Sequence, residues 1–248
     1  MRPALSIALL PLLALGLAAC GDDDSSGSDA TDDKSTESSQ SAHYEDTPID
    51  QIGDDVEKAM KDLETVHLAG NIVDDGQKIL MDVTVSRGGD CQGTMQLDGG
   101  GSFDILGVEG VSYFKADEAF WKSQVGDQAS VITAAIGDKW ATDSSDPEGF
   151  AELCDLDELL SDLNSDDIAG DDSKVTGTQE VSGKETVTIA FTSDDGNPGT
   201  AYVSAEDPHY FVRFDVPEEG AMVFSRFDEP LEVEKPAAGE IFDLAKLN

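Results

Sequence analysis

The chain has 248 residues, and its 53 acidic side chains against 15 Lys and Arg give a formal net charge of −38. Such a surface repels phosphate backbones and anionic headgroups, which excludes nucleic acid as a partner and leaves no basic patch to hold a membrane. Apolar residues make up 39% of the sequence, enough for a core once the acidic N-terminal stretch is set aside.

An apolar segment of 16 residues runs from Ala4 to Ala19, with Arg2 before it and Pro11 and Gly16 inside it. A spanning helix needs about 20, and the layout, closing on Ala18 and Ala19, is that of a secretory signal peptide. Leu17-Ala18-Ala19-Cys20, followed by Gly21, resembles the bacterial lipobox. The resemblance implies a diacylglyceryl group on the Cys20 thiol and cleavage just before it. The alternatives are ordinary secretion with a free Cys20, or an uncleaved anchor. Two or more acyl chains, at about 0.8 kcal/mol per buried CH₂, hold a protein on a bilayer without basic residues. Residues 1–19 are thus expected to be a signal peptide on an extracytoplasmic route. Residues 20–47 then carry the anchor and a Ser/Asp/Glu-rich tether too polar to fold, and 48–248 form one domain.

Thr47 suits a helix N-cap, Pro48 the first helical position and Asp50 the positive helix end. Ile49, Ile52, Val56, Met60 and Leu63 then form a one-sided apolar stripe. From Val66 the period changes to two. Val66, Leu68, Gly70 and Ile72 share a face, as do Ile79, Met81, Val83 and Val85, and then Cys91, Gly93, Met95 and Leu97. With "SFDILGV" and "VSYFK" and the turns between them, this predicts a five-stranded meander. Helices are expected over Ala116–Gln124 and, after an Asp127 cap, over Ala129–Ile136. "GDKWATD" reads as a short strand. Asp146-Pro147 opens a helix striped by Phe150, Leu153, Leu156, Leu160 and Leu163. Five further strands follow: "VTGTQEV", "ETVTIAFTS", "GTAYVSAE", "HYFVRFDV" and "AMVFSRFDE". Ile241, Leu244 and Leu247 are expected to pack the tail back onto the body.

With Cys20 acylated, Cys91 and Cys154 remain in a compartment that permits disulfides. They pair, or they are two buried thiols. A bridge would pin the Cys154 helix to the third strand. Strands with one apolar face need a cover. The expected fold is therefore α+β: a large curved antiparallel sheet, a half-barrel of about ten or eleven strands, wrapped over a few amphipathic helices.

The lipobox, the acidic tether, "VHLAG", "VSYFKADEAFWKS", "GDKW" and "DLDELL" together resemble actinobacterial envelope lipoproteins of the LppX/LprG type, which are similar in fold to the lipoprotein carrier LolA. The resemblance covers roughly residues 44–248. It implies an apolar cavity carrying an acylated lipid or glycolipid, and no catalytic set.

Chemistry is otherwise sparse. His43, His67 and His209 are far apart in sequence and no zincin pattern, Gly-x-Ser-x-Gly elbow or phosphate-binding glycine loop occurs. Neither metal nor cofactor is expected, and His67 reads as a surface residue. Asp162, Asn164 and Asp166 imitate half an EF-hand loop, but Asp167 stands where glycine is due and Ser173 where glutamate is due. The one constellation worth a binding hypothesis is aromatic: Phe103, Tyr113, Phe114, Phe120, Trp121 and Trp140, joined by Ile105, Ile189 and Phe191 as candidates to line a lipid cavity. Each could equally be ordinary core. The readings are a membrane-anchored, non-enzymatic lipid carrier or, alternatively, an envelope interaction module with a solid core and a protein partner.

Overall fold

The computed structural model describes residues 44–74, 76–145, 151–161 and 168–247, all within one compact unit, Ser39–Asn248. Its first meander is β1 (Thr65–Asp74), β2 (Gln77–Ser86), β3 (Cys91–Leu97), β4 (Gly101–Val108) and β5 (Val111–Ala116). The second is β7 (Lys174–Val181), β8 (Lys184–Thr192), β9 (Pro198–Ser204), β10 (Phe211–Val216) and β11 (Gly220–Ser225). Short strands β6 (Trp140–Thr142) and β12 (Ile241–Asp243) complete the set, and the described helices are α1 (Ile49–Lys61), α2 (Glu118–Val125), α3 (Ala129–Ile136) and α4 (Leu156–Ser161).

The strands form a single open sheet in the order β12-β6-β5-β4-β3-β2-β1-β11-β10-β9-β8-β7. Pairing of β1 with β11 joins the two meanders edge to edge. Two details differ from expectation. There are twelve strands, and β12 runs parallel to β6, so the sheet is mixed rather than wholly antiparallel. After β11 the chain recrosses the sheet to the far edge, with Val233 packed on Leu106, Val108 and Tyr113, and arrives in the direction of β6.

One face of the sheet carries the core. Val66 and Leu68 of β1, Met81, Val83 and Val85 of β2, and Ile105 of β4 are all buried there against Ile52, Val56 and Met60 of α1, Phe120 and Trp121 of α2, and Ala129 and Ile136 of α3. This is the inner face. Some strands approach closely where a residue has no side chain to separate them. A Cβ on Gly70 would lie 2.1 Å from the Ala221 carbonyl oxygen, and one on Gly93 would lie 2.2 Å from that of Asp82, so only glycine permits these approaches.

Several local expectations need correction. Pro48, not Thr47, occupies the N-cap of α1, and no side chain caps the helix there. Tyr44, placed in the expected tether, stacks on His209 at 3.9 Å and its hydroxyl donates to Asp55, so the folded body begins before residue 48. Asp127 lies in a one-turn 3-10 segment, leaving Gln128 at the α3 N-cap. The long Leu-striped helix is broken at Asp155, whose extended backbone separates a turn at Glu152–Cys154 from α4. The Asp155 carboxylate accepts the N–H groups of Asp157 and Glu158, so it caps a new helix instead of continuing the old one. Asp146–Phe150 and Leu163 lie outside the described residues. Of the tail, Ile241 and Leu244 pack onto the body while Leu247 stays exposed.

Candidate functional site

The layer between β3–β5 and α2–α3 is built around Asp117. Its carboxylate accepts the Phe120 N–H at 2.7 Å, and both the N–H and the hydroxyl of Ser102 at 2.9 Å. It therefore caps α2 and ties the helix start to the start of β4 in one stroke. Burial raises the Asp117 pKa, but these donors outweigh it and hold the carboxyl below its ordinary range. Gly101 lies beneath, with φ of +84° and a Cβ position only 2.1 Å from the Phe120 nitrogen. The short link sets Phe120 and Trp121 down onto the sheet.

There they meet the strand residues. The Phe103 and Phe120 rings lie 5.0 Å apart, Phe114 and Trp121 5.7 Å, and Phe120 and Trp121 5.6 Å. With Ile105 these side chains are 7% exposed or less. Ile189 is buried on the same inner face in the second meander, and Phe191 is half-buried against that core. Tyr113 and Trp140 do not join them. They lie on the outer face with Leu106, Val108, Val233 and Ile241. Neighbours in a strand point to opposite sides, so Tyr113 must turn away if Phe114 turns in, and pairing of Phe114 with Ala141 puts Trp140 outside as well.

Cys91 and Cys154 are disulfide-bonded, with Cα atoms 5.2 Å apart. The bridge rests on Gly107, paired with Cys91 across the ladder, where a Cβ would come within 2.7 Å of the Cys154 sulfur. It fastens the turn before α4 to the inner face of β3.

Sequence periodicity did not reveal how the strands align. Following the register from β4 to β7, one inner row reads Phe103, Met95, Met81, Gly70, Met222, Phe214, Ala201, Ile189 and Val175. Three methionines thus lie in this row on β3, β2 and β11, with Gly70 of β1 between Met81 and Met222. Met60 of α1 is buried in the same core. Unbranched thioether side chains adapt their shape at little cost.

Two of the concavities on the described surface are partly charged. One of about 300 Å³ lies between α1 and α4, lined by Val56, Met60, Leu160, Lys61, Arg87 and Asp157, with Arg87 paired to Asp157. The other, about 580 Å³, lies on the outer face beside Gln92, Thr94, Asp104, Trp140, Glu232 and Glu234. His67 is also on that face, its Nε2 2.9 Å from an Asp82 oxygen and its Nδ1 3.1 Å from the Ser225 hydroxyl. Among the described residues no group of three or more His, Cys, Asp or Glu side chains is placed to hold a metal. The EF-hand-like residues 162–167 and the proposed anchor, Cys20, lie outside the described residues.

A solved structure shares this architecture. LprF from Mycobacterium bovis superposes with a TM-score of 0.50 at 16% identity, over 77% of this chain and 97% of its own. The lipoprotein LppX from Mycobacterium tuberculosis gives 0.49 at 18% identity, over 75% and 98%. The fold is the one expected from the LppX/LprG-type resemblance. No family model matches the sequence, and no curated protein matches it.

Proposed function

We propose that the chain is an extracytoplasmic lipoprotein, anchored through acyl chains on Cys20, that takes up an acylated lipid or glycolipid between the inner face and its helices. The observation that carries this reading is the methionine row. An acyl chain is bound by area, at about 25 cal/mol per Å² removed from water, and needs no polar motif. It needs an apolar surface that can reshape, and Met81, Met95 and Met222 provide one beneath short helices. α2 and α3 have 8 residues each and α4 has 6. Phe103, Ile105, Phe114, Phe120, Trp121, Ile189 and Phe191 are the walls such a chain would part; Tyr113 and Trp140 play no part from the outer face. No described helix is long and apolar enough to cross a membrane. No catalytic role is proposed.

The near-complete burial of these walls favours a second reading, an interaction module whose interior is filled by its own side chains. Native mass spectrometry of the mature chain, made in an envelope-bearing host, separates the two. A stoichiometric, non-covalent adduct lost on denaturation and extractable as an acylated lipid is the expected result. A clean mass with no uptake of added lipid would overturn the carrier reading in favour of the module.

A further inference from the structure

We infer that the exposed face of α3 docks on the bilayer surface, an inference that rests on the acyl-binding reading and adds where loading takes place. In a chain with 53 acidic residues, Ala119–Gly137 holds one Lys and one Asp over 19 positions, and α3 itself holds no charge. Ala129 and Ile136 of α3 are buried against the inner layer, yet its other side is apolar too. Val131 is 67% exposed, with Ala134 and Ala135 exposed on the same side. Ser130 is the exposed polar side chain on that side, and a helix this apolar on both sides is ordinarily covered on each. Here one side is left open.

The occupant follows from charge and area. Elsewhere the strongly acidic surface is repelled by an anionic membrane. Lys122, Asp127, Asp138 and Lys139 around α3 cancel, so this face approaches with little net repulsion. An eight-residue helix is about 12 Å long, so one side of it falls far short of the roughly 800 Å² per partner in a stable protein interface. A tethered protein needs less, because a linker converts weak contact into a local event. The 23 residues between Cys20 and Tyr44 would reach roughly 25–30 Å were they the polar, unfolded tether their composition leads one to expect. Gly126 and Gly137 bound the segment with φ of +60° and +62° and ψ of −127° and −135°, a backbone region essentially reserved for glycine. Through its buried side α3 touches the layer that would receive an acyl chain, so docking would bring that layer to its cargo.

The test uses the chain from residue 20 onward with Cys20→Ser, held on phosphatidylcholine vesicles by an N-terminal histidine tag and a nickel-chelating lipid, so that docking is read apart from acylation. An environment-sensitive fluorophore is placed on Val131→Cys or, as a control on the outer face of β2, on Leu80→Cys. The expected result is quenching of the residue-131 label by brominated acyl chains, no quenching of the residue-80 label, and loss of the effect with Ala134→Asp. Equal exposure of both labels to water would overturn docking, even where mass spectrometry finds a lipid adduct. Quenching without any adduct would leave docking intact and overturn the carrier reading. Shielding that appears only when envelope proteins are added would assign the face to a protein partner and overturn the inference.

Discussion

The two faces of the sheet are held by different physics. On the inner face, side chains of very different shape follow one another along a register row, from Phe103 through three methionines to Ile189 and Val175, because apolar burial has no direction and asks only that volume be filled. On the outer face, away from the small apolar cluster of Leu106, Val108 and Tyr113, the pairs are specific. The Thr94 hydroxyl donates to Asp104 at 2.8 Å, and His67 lies between Asp82 and Ser225. These groups are solvated in the unfolded chain as well, so each contact yields a small net gain. Stability should therefore be concentrated on one face and solubility on the other.

The largest effect expected from truncating a side chain is at Phe114, 1% exposed between β5 and Trp121. Phe114→Ala should cost about 3–5 kcal/mol in urea unfolding, against about 1 kcal/mol or less for Thr94→Val on the outer face. Equal losses would break the comparison. Next comes the disulfide, which fastens the covering layer to the inner face across a sequence separation of 63 residues. The chain-entropy model gives about 4 kcal/mol for a loop of this size. The Cys91→Ser, Cys154→Ser double variant should lose that much, measured by the same unfolding curves.

Much of this division was legible in the sequence. Period-two alternation placed Val83 and Met95 inward, and the turns delimited most strands to within a residue or two, although β11 ends at Ser225 rather than running on to Glu229. Pairing of the two cysteines left after Cys20 was legible from their number. What stayed hidden was set by contacts distant in sequence. β12 pairs with β6 about a hundred positions earlier, and a parallel partner leaves no turn signal between the strands. The methionine row exists only once the β1–β11 pairing is known. Two errors were avoidable: Tyr113 and Phe114 cannot face one side of a strand, and Asp155-x-x-Glu158 is an N-terminal helix signal inside an otherwise continuous leucine stripe.

Asp117 offers a smaller effect at the margin between the faces. Its folded pKa lies below the unfolded value, the hydrogen bonds from Phe120 and Ser102 outweighing burial. Its contribution is accordingly complete above the ordinary carboxylate range, near pH 4, and is lost as pH falls through the depressed folded value. Asp117→Ala should lower stability by about 1 kcal/mol at neutral pH, as for a lost N-cap. The difference from the parent should shrink below about pH 4. Thermal melts of both proteins across this range check the sign, and a gap that widens with acidification would contradict it.

The smallest expected change in stability sharpens the comparison within a single helix. Val131 and Ile136 both belong to α3, but Val131 is 67% exposed and Ile136 only 5%. Ile136→Asp would bury a carboxylate without a partner, so the variant should unfold or lose several kcal/mol. Val131→Asp should leave the unfolding midpoint within about 0.5 kcal/mol of the parent, as for an exposed position with no partner to lose. If Val131→Asp is that quiet in solution yet abolishes contact with vesicles, the valine cannot be there for the fold. The apolar exterior of α3 would then serve a surface outside the molecule, while its apolar interior serves the core.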